Sequence, residues 1–445
     1  MSGIRRMRDR WRTDEAGLTS AAEDFGHCVH AKPAAVLAPR SPAEVQEAVS
    51  YAAGQGRPLA ARGAGHSTYG QGQAADGIVL DMTELDTVHE VGPDHIVVDA
   101  GARWSDVVAA TLPGLRTPPV LTDFLGTTVG GTLSVGGFGG ASHRHGAQTD
   151  NVVDLDVVTG TGALVRCSPL GNRDLFDCVR GGLGQFGVIV RATLRLVPAF
   201  DKTHWYKFLY NDLTVFLAEQ TRLAHEGMFD HVEGRVLPLG SGPWRYRLDL
   251  AKHCLTGDPP DERSVLRSLH PECRAEPVEV LPHAEFLDRM AAGEQELRRT
   301  GEWFHPHPWL NMLLPAPTAE GFVRQALDGL TQESTGRSGL VIVYPLPTAK
   351  LATPFVRKPT DATAFMVALL RTALPGEQGP MIASNRQIYE QALAAGGVAY
   401  PVNALPMSPE DWRRHFGPLW NDFARAKRRF DPNIILTPGH GIRLI

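Results

Sequence analysis

The pattern of hydrophobic and polar positions predicts alternating strands and helices in the first part of the chain. Short apolar runs at 35–37, 59–61, 78–81 and 96–100 are typical of strands. Between the first two, a Ser-Pro-Ala-Glu sequence at 41–44 predicts a helix N-terminus, with serine as the cap and proline in the first turn. The pattern therefore indicates a β-α-β unit whose second strand leads into a glycine-rich turn.

The remainder of the first half contains two further helical patterns and three strand patterns. We predict helices at 105–112 and 174–179, and strands at 152–159, 164–167 and 188–197. Gly160-Thr161-Gly162, between the first two of these strands, is typical of a hairpin. Residues 117–146 are rich in Gly, Ser and Thr, and a loop of that length is usually functional.

The second half has fewer glycines, more tryptophan and longer amphipathic helices. We predict helices at 213–225, 320–330 and 412–429, and strands at 231–237, 246–250, 340–344 and 365–370. The last residues, 434–442, are expected to form a strand and a glycine turn. These elements favour an antiparallel sheet covered on one face by helices, and hence an α+β protein.

Composition narrows the class of protein. A chain of 445 residues is too long for one ordinary core, so two domains are expected. The net charge of −5, with no long basic run, disfavours nucleic acid as a partner. Five scattered cysteines, no apolar signal segment and no membrane-length apolar run favour a cytoplasmic protein without a membrane partner.

A decapeptide at 61–70, Ala-Arg-Gly-Ala-Gly-His-Ser-Thr-Tyr-Gly, is the first candidate for chemistry. Gly63 and Gly65 allow the backbone to approach a ligand closely, so that successive N–H groups can converge on a phosphate. His66 at the rim of such a cradle can attack an electrophilic cofactor carbon, because neutral imidazole is a nucleophile. Taken alone, the decapeptide also fits a surface turn with a solvated histidine.

Two further glycine-rich segments are candidates for cofactor contact. Residues 130–140 combine glycines with Thr and Ser hydroxyls, which suits a pyrophosphate and a ribityl chain, although a flexible linker has a similar composition. Residues 182–187 match G-x-G-x-x-G, but a predicted helix precedes them and a strand follows. That order is the reverse of a dinucleotide-binding fingerprint, so we expect backbone contacts there rather than a Rossmann site.

Single side chains add candidate catalytic and binding positions. Asp123 is a lone carboxylate among apolar residues, and burial would raise its proton affinity, as suits a general base; a turn or cap aspartate is the alternative. His305 and His307 have no nearby cysteine or carboxylate, so no metal site is expected. Trp309, flanked by proline in the segment His305-Pro306-His307-Pro308-Trp309, can form a rigid wall for a planar substrate.

Several sequence blocks together resemble a known family. The blocks lie at 63–67, 128–134, 144–146, 151–160, 172–176, 181–187, 230–234, 307–311 and 438–442. They resemble the vanillyl-alcohol-oxidase-type, PCMH-type FAD-binding fold and, more narrowly, the cytokinin dehydrogenases. The resemblance implies a two-domain α+β fold, divided into an N-terminal arm (1–30), an FAD-binding domain (31–200), a substrate-binding domain (201–405) and a C-terminal segment that returns to the FAD domain (406–445).

The same resemblance assigns roles to individual residues. His66 would be joined covalently to the FAD isoalloxazine, and Asp123 would accept a hydrogen bond or proton from the substrate amine. Glu233 and Trp309 would lie at the substrate pocket. The residues expected to bind FAD are Arg62, Gly63, Ala64, Gly65, His66, Ser67, Gly70, Gln71, Thr122, Asp123, Thr128, Gly130, Gly131, Ser134, Gly137, Gly187, Val188, Ile189 and His440.

Two blocks depart from the family pattern. The family often has Ser-Asn-Ala-Gly where this chain has Ser134-Val135-Gly136-Gly137, a doublet closer to that of berberine-bridge-type oxidases. Those oxidases often carry a second attachment cysteine shortly before this block. Here Val120-Leu121-Thr122 contains none, so a single covalent link is expected. His440 replaces the glutamine of a terminal Pro-Gly-Gln-Gly-Ile sequence.

The resemblance implies an FAD-dependent oxidoreductase that acts on a small molecule. Hydride would pass from a C–H bond next to nitrogen, as in a cytokinin-like secondary amine, to flavin N5 and leave an imine. Dioxygen or a quinone would reoxidise the flavin. The alternatives are a natural-product tailoring oxidase acting on an amine or alcohol, a sugar or alditol oxidase, and a flavin-retaining isomerase or cyclase without net redox turnover.

Overall fold

The computed structural model describes residues 10–238 and 244–444, apart from the side chain of Gln332. Residues 1–9 of the predicted N-terminal arm lie outside this range. The α-helices of the described residues are Glu15–Ala21, Pro42–Gln55, Trp104–Thr111, Val129–Leu133, Ser142–His145, Arg173–Val179, Leu213–Glu226, Glu262–Arg267, His283–Leu287, Ala291–Thr300, Ala316–Asp328, Gln332–Thr335, Gln378–Ala394, Pro409–Phe416 and Trp420–Phe430. None of these helices is long and apolar enough to cross a membrane.

The first sheet is mainly parallel and confirms the predicted β-α-β unit. In spatial order its strands are Trp11–Arg12, Ala35–Leu37, Ile78–Asp81 and Leu59–Arg62. The helix Pro42–Gln55 connects the second strand to the last, and the Ser41 hydroxyl accepts a hydrogen bond from the Glu44 amide at its start. Gly56, with φ of 58°, ends this helix in the left-handed conformation that glycine adopts without strain.

The second sheet is antiparallel. Together with the first sheet it forms the part of the molecule that the sequence predicts to bind FAD (31–200), called the FAD-side half below. Its strands, in spatial order, are Val88–Val91, His95–Asp99, Val188–Arg195, Val152–Val158 and Leu164–Cys167. The predicted hairpin around Gly160-Thr161-Gly162 is confirmed, since the two strands that flank it pair with each other. Val88–Val91 was not predicted, because its side chains are mostly exposed and show no apolar alternation. Arg116–Thr117 and Val197–Pro198 form a separate short pair.

The third sheet is antiparallel, as predicted, but five of its nine strands were not predicted, among them Lys202–Tyr210 and Leu310–Pro315. Its strands in spatial order are Arg274–Ala275, Lys202–Tyr210, Arg245–Cys254, His231–Leu237, Leu340–Pro347, Thr363–Leu370, Leu310–Pro315 and Val398–Ala399, and Glu279–Pro282 also pairs with Lys202–Tyr210. Alternate side chains face opposite sides: Val341 and Val343 pack in the core with the helices, whereas Ile342 and Tyr344 face a cavity. The two-domain α+β fold is therefore confirmed, and the domain boundaries given above stay a prediction.

Two predicted elements near the C-terminus were wrong. The single helix expected at 412–429 is divided into Pro409–Phe416 and Trp420–Phe430. Gly417 has φ of 51° and Pro418 has no amide hydrogen, so neither residue can continue the first helix.

The strand expected at 434–442 does not form. Only Leu436 makes an isolated parallel bridge, to Leu59, and Pro438–His440 is a 3-10 turn. Ile434 and Thr437 have φ of 53° and 50°, values outside the range of a β-strand. This segment still reaches the FAD-side half, because a Cβ at Gly439 would lie 2.0 Å from the carbonyl oxygen of Gly70.

Candidate active site

A cavity of about 370 Å³ lies between the FAD-side sheets and the third sheet. It brings together most of the predicted site residues. The predicted residues that line it are Arg62, Gly63, Ala64, Gly65, His66, Ser67, Gln71, Thr122, Asp123, Thr128, Gly130, Gly131, Ser134, Gly187, Val188, Ile189, Glu233, Trp309 and His440. Gly70 and Gly137 do not line it: the amide of Gly70 donates to Asp24, and that of Gly137 to the hydroxyl of Tyr400.

Two positions of the His66 loop require glycine, because neighbouring side chains lie too close to the backbone there for a Cβ atom. A Cβ at Gly63 would lie 1.9 Å from Oγ1 of Thr128, which is far closer than two non-bonded atoms can approach. Gly65 has φ of 67°, and a Cβ there would meet the guanidinium group of Arg62 at 2.5 Å. Side chains at these two positions would therefore disrupt the loop or its contact with Thr128.

The backbone of this loop fits an anionic cofactor. Among the residues that the structure describes, the amide N–H groups of Gly65, His66 and Ser67 have no protein acceptor. Partly buried amides without a partner cost free energy, so they favour an acceptor in the cavity. Consecutive N–H groups in a glycine-rich turn form a binding site for phosphate oxygens. The pyrophosphate of FAD has the matching chemistry.

His66 presents a neutral ring to this cavity. Its imidazole is stacked on Phe25, with ring centroids 4.0 Å apart and planes inclined by 28°. The ring centroid of Phe124 lies 4.7 Å away at 32°, and that of Trp309 lies 5.7 Å away with the planes at 76°. Burial among these rings lowers the pKa of His66 to about 3, with further effects from His307 and from a nearby arginine. The imidazole is therefore uncharged at neutral pH and available as a nucleophile.

Asp123 is held by an arginine that the sequence analysis missed. Nη2 of Arg289 donates a hydrogen bond to Oδ1 of Asp123. The same nitrogen lies 3.7 Å from Oε2 of Glu233. Arg289 follows the short helix His283–Leu287, so this guanidinium group connects a loop of the FAD-side half to the third sheet. Residues 283–289 contain no motif that would single out Arg289 from other surface arginines.

The two carboxyl groups beside Arg289 have opposite pKa shifts. Burial opposes ionisation of Asp123, but Arg289 and then Arg235 outweigh burial and hold the pKa of Asp123 below its ordinary value. The prediction of a raised proton affinity for Asp123 was therefore wrong, because it took account of burial and not of the ion pair. Burial first, and the charge of Asp123 second, raise the pKa of Glu233 to about 8. At neutral pH Asp123 is ionised and Glu233 is protonated.

Further charged groups lie behind Glu233 on the same face of the sheet. Nη2 of Arg235 is 3.2 Å from Oε1 of Glu233, and Nε of Arg235 is 3.4 Å from Oδ2 of Asp249. Nε of Arg247 is 3.1 Å from the same oxygen of Asp249. Glu233 and Arg235 are two residues apart on a predicted strand, so their shared face could have been recognised. The pairing of Glu233 with Asp249 could not have been recognised from the sequence, because it depends on strand register.

The glycine-rich segment 182–187 lies where its sequence placed it, between the helix Arg173–Val179 and the strand Val188–Arg195. Gly184 and Gly187 line the cavity. A Cβ at Gly187 would lie 2.4 Å from Cγ1 of Val157, so a side chain there would collide with the neighbouring strand. The segment therefore contributes backbone to the cavity wall, as expected for a site that is not of the Rossmann type.

The third sheet and the C-terminal segment form a further wall of the cavity. Trp309 and Tyr344 line it together with the apolar side chains of Met366 and Leu370. Burial lowers the pKa of His440 to about 4, and its carbonyl oxygen accepts a hydrogen bond of 2.8 Å from Nε1 of Trp412. Flat apolar surfaces along this wall suit a planar molecule.

Free backbone amides beside a neutral histidine and an ionised carboxylate fit a cavity that binds a phosphate-containing redox cofactor. Sequence comparisons show that the class is that of the FAD-dependent oxidoreductases. A family model described as "FAD binding domain" matches residues 33–168, and one described as "Cytokinin dehydrogenase 1, FAD and cytokinin binding" matches residues 262–443.

Full-length relatives identify the family. The chain is 55% identical to an uncharacterized oxidoreductase, ORF5 of the fasciation locus of Rhodococcoides fascians, over 99% of both chains. It is 38% identical to cytokinin dehydrogenase 10 of Oryza sativa subsp. japonica, over 97% of this chain and 88% of that one. Cytokinin dehydrogenase 4 of Arabidopsis thaliana is 33% identical over 97% and 91%. The chain belongs to the cytokinin dehydrogenase family of FAD-binding oxidoreductases, as its motifs predicted.

Proposed function

We propose that this protein oxidises a secondary amine of the cytokinin type, an adenine with an isoprenoid substituent on its exocyclic nitrogen. The carbon next to that nitrogen loses hydride, the nitrogen loses its proton, and an imine results. Support comes from the relatives named cytokinin dehydrogenase and from one feature of the site. That feature is Asp123, which is ionised at neutral pH and lines the same cavity as His66.

Asp123, Arg289 and Glu233 have different roles in this reaction. Bound FAD supplies the hydride acceptor. Asp123 accepts the amine proton, and Arg289 keeps its carboxylate ionised and oriented through their hydrogen bond. Glu233, protonated below a pH of about 8, lies beside the same guanidinium group and adds no second negative charge. Because Glu233 already holds its proton, Asp123 is the carboxyl group of this pair that can accept another.

The apolar wall of the cavity binds and shields the substrate. Trp309 provides a flat surface for the adenine ring, and Met366 and Leu370 provide apolar contact for an isoprenoid chain. Water is excluded from the reacting carbon by these side chains. Exclusion of water strengthens the electrostatic interactions of Asp123 and delays hydrolysis of the imine.

We propose further that His66 carries the FAD through a covalent bond and that dioxygen or a quinone reoxidises the flavin. The neutral imidazole and its position on the cavity wall support the covalent bond. Acid-precipitated protein is expected to stay yellow and to exceed its translated mass by one FAD. Colourless protein of the translated mass would rule out the bond.

The reaction itself is tested by anaerobic mixing of the holoenzyme with isopentenyladenine. We expect the visible absorption of the oxidised flavin to bleach, because the electrons remain on the cofactor when no acceptor is present. A polyol and a simple primary alcohol serve as comparison donors and should leave the spectrum unchanged. Bleaching by the polyol or alcohol and not by isopentenyladenine would contradict the proposal and favour oxidation of a C–H bond next to oxygen.

A further inference from the structure

A short segment of the N-terminal arm lies directly against the His66 loop. We call this segment, Asp24-Phe25-Gly26, the N-terminal strap. The amide of Phe25 donates to the carbonyl oxygen of Gly65 at 2.8 Å, and the amide of Gly26 donates to that of Ser67 at 3.0 Å. These two bonds hold the loop on either side of His66 through its carbonyl groups, and they leave the loop amides for the cavity.

The first and last residues of the N-terminal strap are tied equally closely to the loop. Oδ2 of Asp24, which is buried, accepts hydrogen bonds from the amide of Gly70 at 2.7 Å and the hydroxyl of Ser67 at 3.0 Å. A Cβ at Gly26 would lie 2.1 Å from the carbonyl oxygen of Thr68. Only glycine permits this approach, so the sequence of the strap is matched to the loop that it covers.

Phe25, the central residue, fixes the orientation of the His66 ring. Its ring lies between the imidazoles of His66, at 4.0 Å, and of His307, at 4.1 Å and nearly parallel. Phe124 is inclined against His66 from another side at 4.7 Å. Rotation of the His66 ring about its side-chain bonds would collide with one or other phenyl ring. The imidazole is therefore held in one orientation at the cavity wall.

We propose that the N-terminal strap is the device that orients His66 for covalent attachment of FAD, with Phe25 as the positioning residue. This inference rests on the covalent bond proposed above and adds the part of the chain that makes the bond form. Other residues of the strap act through the loop backbone, whereas Phe25 acts on the ring itself.

The step that Phe25 would assist is a balanced one. An imidazole nitrogen of His66 bonds to a methyl carbon on the isoalloxazine, so that one C–H and one N–H bond break and one C–N bond forms. Two electrons and two protons pass to the isoalloxazine itself, and dioxygen or the quinone acceptor then removes them. Because the nucleophile must meet one carbon along one direction, an unoriented ring attacks more slowly.

The test measures attachment separately from binding and from catalysis. Flavin-free protein is mixed with FAD, samples are precipitated with acid at intervals, and the flavin absorbance that stays with the polypeptide is followed. We expect Phe25→Ala to slow covalent attachment by at least about tenfold. The variant should still bind FAD non-covalently, as FAD that acid precipitation releases. Phe25→Leu keeps apolar volume without a flat ring and should also be slow, and Phe25→Tyr should restore the rate.

Phe304 supplies the matched control. Phe304 is 59% exposed and lies with Phe25 at a second pocket, on the outer side of the His66 loop, but its ring does not stack on His66. Phe304→Ala should attach FAD at the rate of the unaltered protein. The expected pattern is therefore slow attachment for two Phe25 variants and normal attachment for Phe25→Tyr and Phe304→Ala.

Two results would overturn the inference. One is attachment at the normal rate in folded Phe25→Ala and Phe25→Leu. The other is a loss of FAD binding that accounts for the whole loss of attachment, since the strap would then only shape the loop. An unaltered protein that never attaches FAD would remove both the covalent bond and the strap's role. Bleaching by isopentenyladenine would be unaffected by that result, because dissociable FAD also accepts hydride.

Discussion

The two reactive groups of the cavity, His66 and Asp123, are kept in the required charge state by different means. His66 lies among Phe25, Phe124 and Trp309, and burial, with smaller effects from His307 and a nearby arginine, lowers its pKa to about 3. Burial would also remove the charge of Asp123, but Arg289 reverses that effect. One group therefore depends on exclusion of water, and the other on an ion pair that exclusion of water strengthens.

This difference predicts how the charge state of each group responds to mutation. A neutral group in an apolar environment stays neutral through small changes in packing, whereas removal of one partner of a buried ion pair leaves the other charge uncompensated. The largest effects on the chemical step are therefore expected at Asp123, smaller ones at Arg289, and the smallest at Glu233.

Asp123→Asn should have the largest effect. The amide is nearly isosteric with the carboxylate but cannot accept the amine proton, so the rate of flavin reduction by isopentenyladenine should fall about 10³-fold. Stopped-flow absorbance under anaerobic conditions measures this rate directly. The content of FAD should be unchanged, because the free amides that suit its pyrophosphate belong to Gly65, His66 and Ser67 and the substitution leaves them in place.

Asp288→Asn is the control for this substitution, since Asp288 is an exposed carboxylate next to Arg289 in sequence. It should reduce flavin at the normal rate. A loss of less than about tenfold in Asp123→Asn would show that another group, or solvent, takes the proton.

The same contrast explains how much of the molecule could be predicted from its sequence. The His66 loop is contiguous, and its glycines report the close approach and positive φ that the structure shows at Gly63 and Gly65. Four strands of the third sheet were recognisable from alternating or continuous apolar runs of strand length, whereas Lys202–Tyr210 and Leu310–Pro315 were not predicted. The signal in each case lies within about ten neighbouring residues, where local sterics and hydrophobic periodicity decide the conformation.

The charged groups of the cavity could not be predicted in the same way. Arg289 comes 166 residues after Asp123, and only the packing of the third sheet against the FAD-side half brings them together. Asp249 meets Glu233 through strand register, which short-range patterns do not specify. The pKa of Asp123 was predicted in the wrong direction for this reason, since burial was visible in the sequence and the partner was not.

Arg289→Met tests whether the ion pair, rather than burial, sets the charge of Asp123. Without the guanidinium group, burial is unopposed and the pKa of Asp123 should rise. Asp123 accepts a proton only when ionised, so the acid limb of the pH profile for flavin reduction should move to higher pH. Near neutral pH we expect a loss of about tenfold to a hundredfold.

Arg289→Lys keeps the positive charge and should move the acid limb less than Arg289→Met does. Comparison of the pH profiles of the two variants separates the effect of charge from that of packing. Both substitutions change the shape of the side chain, but only Arg289→Met removes its charge. An acid limb that stays in place in Arg289→Met would show that the ion pair does not govern Asp123. Circular dichroism of both variants checks that a buried carboxylate without its partner has not unfolded the protein.

Glu233→Gln should have the smallest effect at neutral pH, because the amide resembles the protonated carboxyl group that is already present. Flavin reduction should fall by less than about tenfold, and any step in the rate near pH 8 should disappear.

The pH dependence of the free energy of unfolding gives an independent measurement of the same proton. The folded protein holds the Glu233 proton up to a pH of about 8, whereas the unfolded chain releases it near the ordinary value of 4.5. The folded state thus binds more protons between these values, so the free energy of unfolding should fall as pH rises through this window in the unaltered protein, relative to Glu233→Gln. Parallel curves for the two proteins would mean that Glu233 is ionised beside Asp123, and that both carboxylates share the positive charge of Arg289 and Arg235.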